Sequence, residues 1–208
     1  ASFEEYAQCK GMLFKQCKVG IFNRDSEHFE DMLKGHTCEV STYGLDENAD
    51  LRGFNVCYHR VGGDMFTEFD VTGSELEHIV LELPGEFSVY NALCAAAITK
   101  HFNLNKEYVL AALKKARVPG RVEIVPVSDK FTVMIDYAHN LMSFKNIIET
   151  VQAYNLGNVI AVYGAGGNRD IHRRYDIGKL AAKYNVYSIV TMDNPRNEDV
   201  NCICKDIV

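Results

Sequence analysis

The sequence predicts an α/β protein in two parts: a mixed sheet with an antiparallel flank, followed by a parallel sheet wound with helices. Three observations predict it. Beyond residue 121, short apolar runs alternate with segments of helical periodicity, the pattern of strands joined by helical crossovers. Residues 54–71 instead alternate apolar and polar side chains around Val61-Gly62-Gly63-Asp64, a hairpin signal. Between the two patterns, Arg117-Val118-Pro119-Gly120 breaks the chain and is the candidate linker, which sets domains at 1–118 and 119–208.

The elements follow in order. Residues 1–17 read as a helix, with Phe3, Tyr6, Ala7, Lys10, Leu13 and Phe14 at helical spacing. Residues 19–23 read as a strand, 26–33 as a helix and 37–43 as a strand, a βαβ rhythm. The hairpin of 54–71 and a strand over 78–83, ending in Pro84-Gly85, make the antiparallel flank. Residues 87–102 form an apolar, Ala-rich helix, and 107–116 a second, with Leu110, Ala111 and Leu113 on its buried side.

In the second part, strands at 122–127 and 132–136, a helix at 141–154, a strand at 158–163, a helix at 174–184, a strand at 188–192 and a helix over 198–208 predict a Rossmann-like domain. The opening helix has no strand before it and the closing helical pattern is interrupted, so the chain reads as a piece of something longer.

Composition narrows the function classes. With 208 residues, 47% of them hydrophobic, the chain can fill proper cores. Its 22 basic and 28 acidic side chains leave a net charge of −6 without a basic cluster, so nucleic-acid binding has no footprint. The 7 cysteines include no CxxC pair, which suits reduced thiols, and Cys202 and Cys204 do not share a helix face, which argues against a metal site there. No apolar stretch approaches the roughly 18 to 20 residues that span a bilayer, and the start lacks signal-peptide architecture. The expectation is a cytoplasmic protein without membrane insertion.

Two stretches carry the strongest chemistry. Gly164-Ala165-Gly166-Gly167-Asn168-Arg169-Asp170 and Asp193-Asn194-Pro195-Arg196 each follow an apolar strand, and ligands of open α/β sheets bind beyond the carboxyl ends of strands. Together they could form one pocket for a small zwitterion. The glycine stretch reads either as an anion-binding turn or as a plain flexible one, since it lacks both the Lys-Ser/Thr ending of a P-loop and the spacing of a dinucleotide fingerprint. Arg169 can hold a carboxylate through two parallel hydrogen bonds. Asp193, Asn194 and Arg196 offer an ammonium acceptor, an amide and a carboxylate clamp, with Pro195 fixing the backbone; the alternative is a post-strand turn with an exposed Arg.

Asp136-Tyr137-Ala138-His139 ends an apolar strand and places an acid and an imidazole at the sheet edge, although Asp136 could equally cap the next helix. Lys10, flanked by Tyr6 and Phe14 four residues to either side, reads on its own as a snorkelling lysine. Arg121 and Asn91 are polar where packing does not demand it.

Five segments in order resemble the Mur ligase family: residues 6–14 with Lys10; Pro84-Gly85-Glu86-Phe87-Ser88-Val89-Tyr90-Asn91-Ala92; Gly120-Arg121-Val122-Glu123; Asp136-Tyr137-Ala138-His139; and the glycine loop followed by Asp193-Asn194-Pro195-Arg196-Asn197-Glu198-Asp199. The resemblance implies the later part of a central ATPase domain joined to a truncated Rossmann-like C-terminal domain. The N-terminal UDP-binding domain, the P-loop and the extreme C-terminus would lie outside the chain, and the fragment alone would be inactive. The implied activity is ATP-dependent amide bond formation, through an acyl phosphate, adding meso-diaminopimelate to UDP-N-acetylmuramoyl-L-alanyl-D-glutamate in peptidoglycan synthesis, by a monomer. Related ligases adding lysine, or resembling cyanophycin synthetase, and a non-catalytic amino-acid-binding paralogue are the alternatives.

By the same resemblance, Lys10 would be carbamoylated and hold Mg2+. Asn91, Arg121, Asp136 and His139 would contact ATP. Arg169, Asp193, Asn194, Pro195 and Arg196 would bind the incoming amino acid, since Asp-Asn-Pro-Arg accompanies meso-diaminopimelate in the family. The chain departs from the family pattern in Asn140-Leu141, where Thr-Pro is usual, in Asn168, where an acid is usual, and in Ile171, where a basic residue is usual.

Overall fold

A computed structural model describes residues 3–154 and 157–208, which divide into two compact units, Ala1–Arg117 and Val118–Val208. Residues 1 and 2 of the expected opening helix lie outside the described residues.

In the first unit, helix α1 (Phe3–Gly11) gives way to a tighter 3-10 turn over Met12–Lys15, so the expected helix of 1–17 is shorter and ends in a narrowed last turn. Strand β1 (Val19–Asn23) leads to a short helix α2 (Phe29–Leu33), which starts later than residue 26 because the Ser26 hydroxyl accepts the His28 N–H at 3.3 Å and holds 26–28 as a turn. Strands β2 (Glu39–Gly44), β3 (Leu51–Val61), β4 (Asp64–Thr72) and β5 (His78–Leu81) complete one sheet in the order β1-β2-β3-β4-β5. The β1–β2 and β2–β3 pairs are parallel; β3–β4 and β4–β5 are antiparallel. This is the mixed sheet with an antiparallel flank.

Alternation along β4 buries Met65, Thr67, Phe69 and Val71 on one face and leaves the other toward solvent. Helix α3 (Glu86–His101) lays Val89, Leu93, Ala96 and Ala97 over that face, against Leu51, Phe69, Ile79 and Leu81, and helix α4 (Lys106–Lys115) adds Val109. Full burial of each large apolar side chain stabilises the unit by about 1.5–3 kcal/mol. A smaller cluster of Phe22, Phe29 and Cys38 takes in Phe14, whose ring centroid is 4.0 Å from that of Phe22.

The second unit begins with β6 (Glu123–Val125) and β7 (Val133–Ile135), which pair antiparallel. This corrects the expectation that both join one parallel sheet: residues 126–132 are too few for a parallel crossover, which needs about a dozen or more. After α5 (Leu141–Ala153), β8 (Ile160–Tyr163) and β9 (Tyr187–Val190) pair parallel, with α6 (His172–Lys183) as their crossover. Phe144 and Ile148 of α5 pack with Ile177 and Ala181 of α6 and with Val186, and α7 (Val200–Ile207) ends the chain. No helix among the described residues is long and apolar enough to cross a membrane.

Candidate functional site

Because β8 and β9 are adjacent and parallel, the loops that follow them leave the same sheet edge. They interlock through backbone. The Gly167 N–H donates to the Asn194 carbonyl at 2.8 Å. A Cβ on Gly167 would stand 1.9 Å from the Pro195 carbonyl oxygen, and one on Gly164 would stand 2.3 Å from that of Thr191. These glycines are therefore contact points between loops, and the flexible-turn reading fails at both. Asn168 (φ 53) and Arg196 (φ 52) are left-handed. Asn tolerates that conformation, whereas at Arg it is a strain of the kind that persists where neighbours over-determine the backbone.

Behind the two loops lies Arg174, in the first turn of α6 and 3% exposed. Its guanidinium donates to Glu198 Oε2 and Asp206 Oδ2, each at 2.8 Å, and to the Gly166 carbonyl at 3.5 Å. The other Glu198 oxygen accepts the Asn168 N–H. One carboxylate thus ties the glycine loop to the segment after Arg196. The Asn168 N–H first, and the Arg174 guanidinium second, hold the Glu198 carboxyl below the usual carboxylate range. On this frame Arg169, Asp193, Asn194 and Arg196 are exposed and Pro195 is half-buried, so the side chains with chemistry face solvent from a fixed backbone.

A second group forms around the end of β7. Asp136 accepts the Val122 N–H at 2.9 Å, and Val122 is buried with φ 47, an outlier for a β-branched residue. The Arg121 guanidinium lies 5.1 Å from the Tyr137 ring centroid, and the Tyr137 and His139 rings are 5.3 Å apart and tilted by 51°, which makes a solvent-facing cluster of one cation and two rings. Arg173 of α6 donates to the His139 carbonyl and links this group to the crossover helix. Asp136 does not cap α5. Asn140 does, accepting the Ser143 N–H at 2.9 Å while its own N–H donates to Ser143 Oγ at 3.3 Å.

In the first unit, Lys10 is exposed on α1 with Nζ 5.5 Å from the Tyr6 ring centroid; Phe14, its other expected neighbour, turns into the Phe22 cluster. Asn91 is exposed on α3. The preceding Tyr90 hydroxyl donates to Asp25 Oδ2 at 2.8 Å, and Asp25 also accepts the Leu45 and Asp46 N–H groups, which pins the start of α3 to the loop after β2. Burial first, then the Asp25 carboxylate, pushes the Tyr90 hydroxyl well above its ordinary range.

Residues 1–99 match the Mur ligase middle domain, and residues 120–208 match the Mur ligase, glutamate ligase domain. The chain belongs to the Mur ligase family. Two curated Mur ligase relatives, from Bacillus cereus and Aquifex aeolicus, are both called UDP-N-acetylmuramoyl-L-alanyl-D-glutamate--2,6-diaminopimelate ligase. They are 35% and 38% identical over 100% of this chain, which spans 44% and 42% of their lengths. A solved ligase of the same name superposes with a TM-score of 0.62 at 25% identity, over 100% of this chain and 44% of that one. A Mycobacterium tuberculosis folylpolyglutamate synthase, complexed with ADP and AMPPCP, superposes with a TM-score of 0.73 at 20% identity, over 100% of this chain and 47% of that one, and shares the fold.

Against the Mur ligase pattern, two departures have a local account. Asn140-Leu141 supplies an N-cap and first helical residue just as Thr-Pro does, with a different first-turn residue. Asn168 suits the left-handed backbone, and its Oδ1 accepts the Asn197 N–H at 3.4 Å. Nothing in the structure explains Ile171. Arg174 was not among the expected site residues, yet a signal existed: with Ile177 and Ala181 it occupies the buried stripe of α6, and a cation on an apolar stripe demands partners.

Proposed function

We propose that this chain is part of a longer ATP-dependent ligase that adds meso-diaminopimelate to UDP-N-acetylmuramoyl-L-alanyl-D-glutamate during peptidoglycan synthesis, acting in the cytoplasm as a monomer. The observation that carries the reading is the interlock of the glycine loop with Asp193-Asn194-Pro195-Arg196, braced by Arg174 and Glu198. A fixed backbone presenting Arg169 and Arg196 suits a diacid whose own chain is flexible, because bidentate guanidinium–carboxylate pairs gain most when the fork is pre-oriented by the protein. Asp193 accepts from the substrate's ammonium, and Asn194 adds an amide.

The remaining residues fit the nucleotide and its metal. Within the second unit, the Arg121–Tyr137–His139 cluster offers planar faces beside a cation and Asp136 a polar contact for ATP; for Asn91, in the first unit, the ATP role rests on the motif it shares with the Mur ligase family. Lys10 is exposed, so its amine is open to carbamoylation, and a carbamate provides the hard oxygen donors that Mg2+ prefers. Magnesium would there neutralise phosphate charge. Phosphoryl transfer from ATP to the substrate carboxylate leaves little covalent work for side chains, so these residues position and balance charge; the diaminopimelate amine then attacks the acyl phosphate carbon, the C–O bond to phosphate breaks, and inorganic phosphate and the amine proton leave.

The test is a competition assay on the full-length protein offered meso-diaminopimelate, lysine and aspartate together. Incorporation of meso-diaminopimelate is expected, and preference for either other amino acid overturns the reading. Arg196→Ala is expected to raise KM for the amino acid while KM for ATP is retained; an unchanged amino-acid KM removes Arg196 from the clamp.

A further inference from the structure

The solvent-facing side of the antiparallel flank carries a cluster unconnected with the loops above. Cys57 Sγ, a ring nitrogen of His59 and a carboxylate oxygen of Glu68 lie within 4.8 Å of one another. The cluster depends on a bulge. Phe54 pairs with Asp70, and an unbroken antiparallel register would then set Val56 opposite Glu68; the shift between Phe54 and Cys57, with Asn55 at φ 52, sets Cys57 there instead. Val56 packs against the core, while Cys57 and His59 come to share the outer face with Glu68.

Two further contacts preorganise the neighbourhood. His59 Nε2 is 2.8 Å from Glu68 Oε1. Asp70, fixed by Asn55 Nδ2 at 2.8 Å, holds His78 Nδ1 at 2.9 Å and leaves His78 Nε2 facing Glu68 Oε2 at 3.8 Å. Asp70 thus fixes the ring of His78, which stands beside Glu68 as a neighbour of the three candidate ligands and is not itself one of them.

We propose that Cys57, His59 and Glu68 bind a divalent transition-metal ion of the zinc class on the outer face of β3–β4–β5. Thiolate, imidazole and carboxylate together suit a borderline-soft ion, whereas Mg2+ takes oxygen ligands. Zinc–ligand bonds of about 2.0–2.3 Å place tetrahedral ligand atoms roughly 3.3–3.8 Å apart, within the span of the cluster. Binding releases the Cys57 thiol proton to solvent, and the proton on His59 Nε2 moves to Nδ1 through solvent. No electron is transferred.

The experiment titrates Co2+ into the reduced full-length protein and follows the thiolate-to-cobalt charge-transfer band, which oxygen-only sites do not give. Wild type is expected to show the band, Cys57→Ser to lose it, and Cys202→Ser, altering an exposed cysteine of α7, to keep it. His59→Ala is expected to weaken Zn2+ binding, read by competition with a chromogenic chelator, by more than about 100-fold, the upper range for losing an orienting partner alone. Circular dichroism on each variant separates loss of ligand from loss of fold. Absence of the band in wild type, or its persistence in a folded Cys57→Ser variant, overturns the site.

Discussion

Arg174 donates to Glu198 at 2.8 Å, and through that carboxylate a buried guanidinium governs two loops that it scarcely touches itself. The pair lies behind the candidate clamp. It explains how exposed side chains can be held in place, and it sets the first expectations for mutagenesis.

Arg174→Ala leaves Asp206 without its cation and Glu198 with only the Asn168 N–H, beside a void. The loss is expected to be about 3 kcal/mol, at the low end for a broken buried pair because both carboxylates reach solvent. Urea unfolding of the full-length protein checks it. Arg174→Lys should recover only part of the loss, since a point charge cannot bridge two carboxylates as a planar fork does.

Glu198 gives the pH dependence. Its carboxyl is depressed in the folded state, so the unfolded chain binds its proton at higher pH than the native one. The stabilisation is therefore present above the ordinary carboxylate range and is lost as pH falls through the depressed folded value. Glu198→Gln should be less stable than wild type at neutral pH, and the gap should close in acid. A gap that widens on acidification would contradict the assignment.

Gly167→Ala and Gly166→Ala form a matched pair. At Gly167 a methyl meets the Pro195 carbonyl at 1.9 Å, whereas at Gly166 the nearest atoms stand at 3.7 Å. The first substitution should displace the Asp193–Arg196 segment and raise the amino-acid KM; the second should leave KM near wild type. Steady-state kinetics on the two variants decide whether the interlock shapes the clamp.

The α5 cap predicts a modest effect. Asn140→Ala should cost about 1 kcal/mol, read as a fall in Tm, and Asn140→Thr should recover most of it.

Lys10→Ala should nearly abolish turnover of the full-length enzyme, with partial rescue by short carboxylic acids that stand in for a carbamate. Wild-type rates without added acid would leave Lys10 a surface residue stacked on Tyr6.

Strand positions and loop chemistry were legible because they are local. Period-2 and helical patterns in the sequence mark β1, the Gly62-Gly63 hairpin and the β8–α6–β9 crossover, and glycine and proline punctuate the loops that follow them. Those patterns, with the ordered motifs, determined the fold class and which residues stand at the sheet edge. Only the tertiary structure decided that β6 and β7 pair antiparallel, that Asn140 rather than Asp136 caps α5, that a bulge turns Cys57 outward, and that Arg174 meets Glu198 and Asp206, 24 and 32 residues away in the chain. Periodicity records whether a side chain is buried. Which distant group answers a buried charge depends on how the crossover and the last helix bring remote segments together, and no local pattern carries that information.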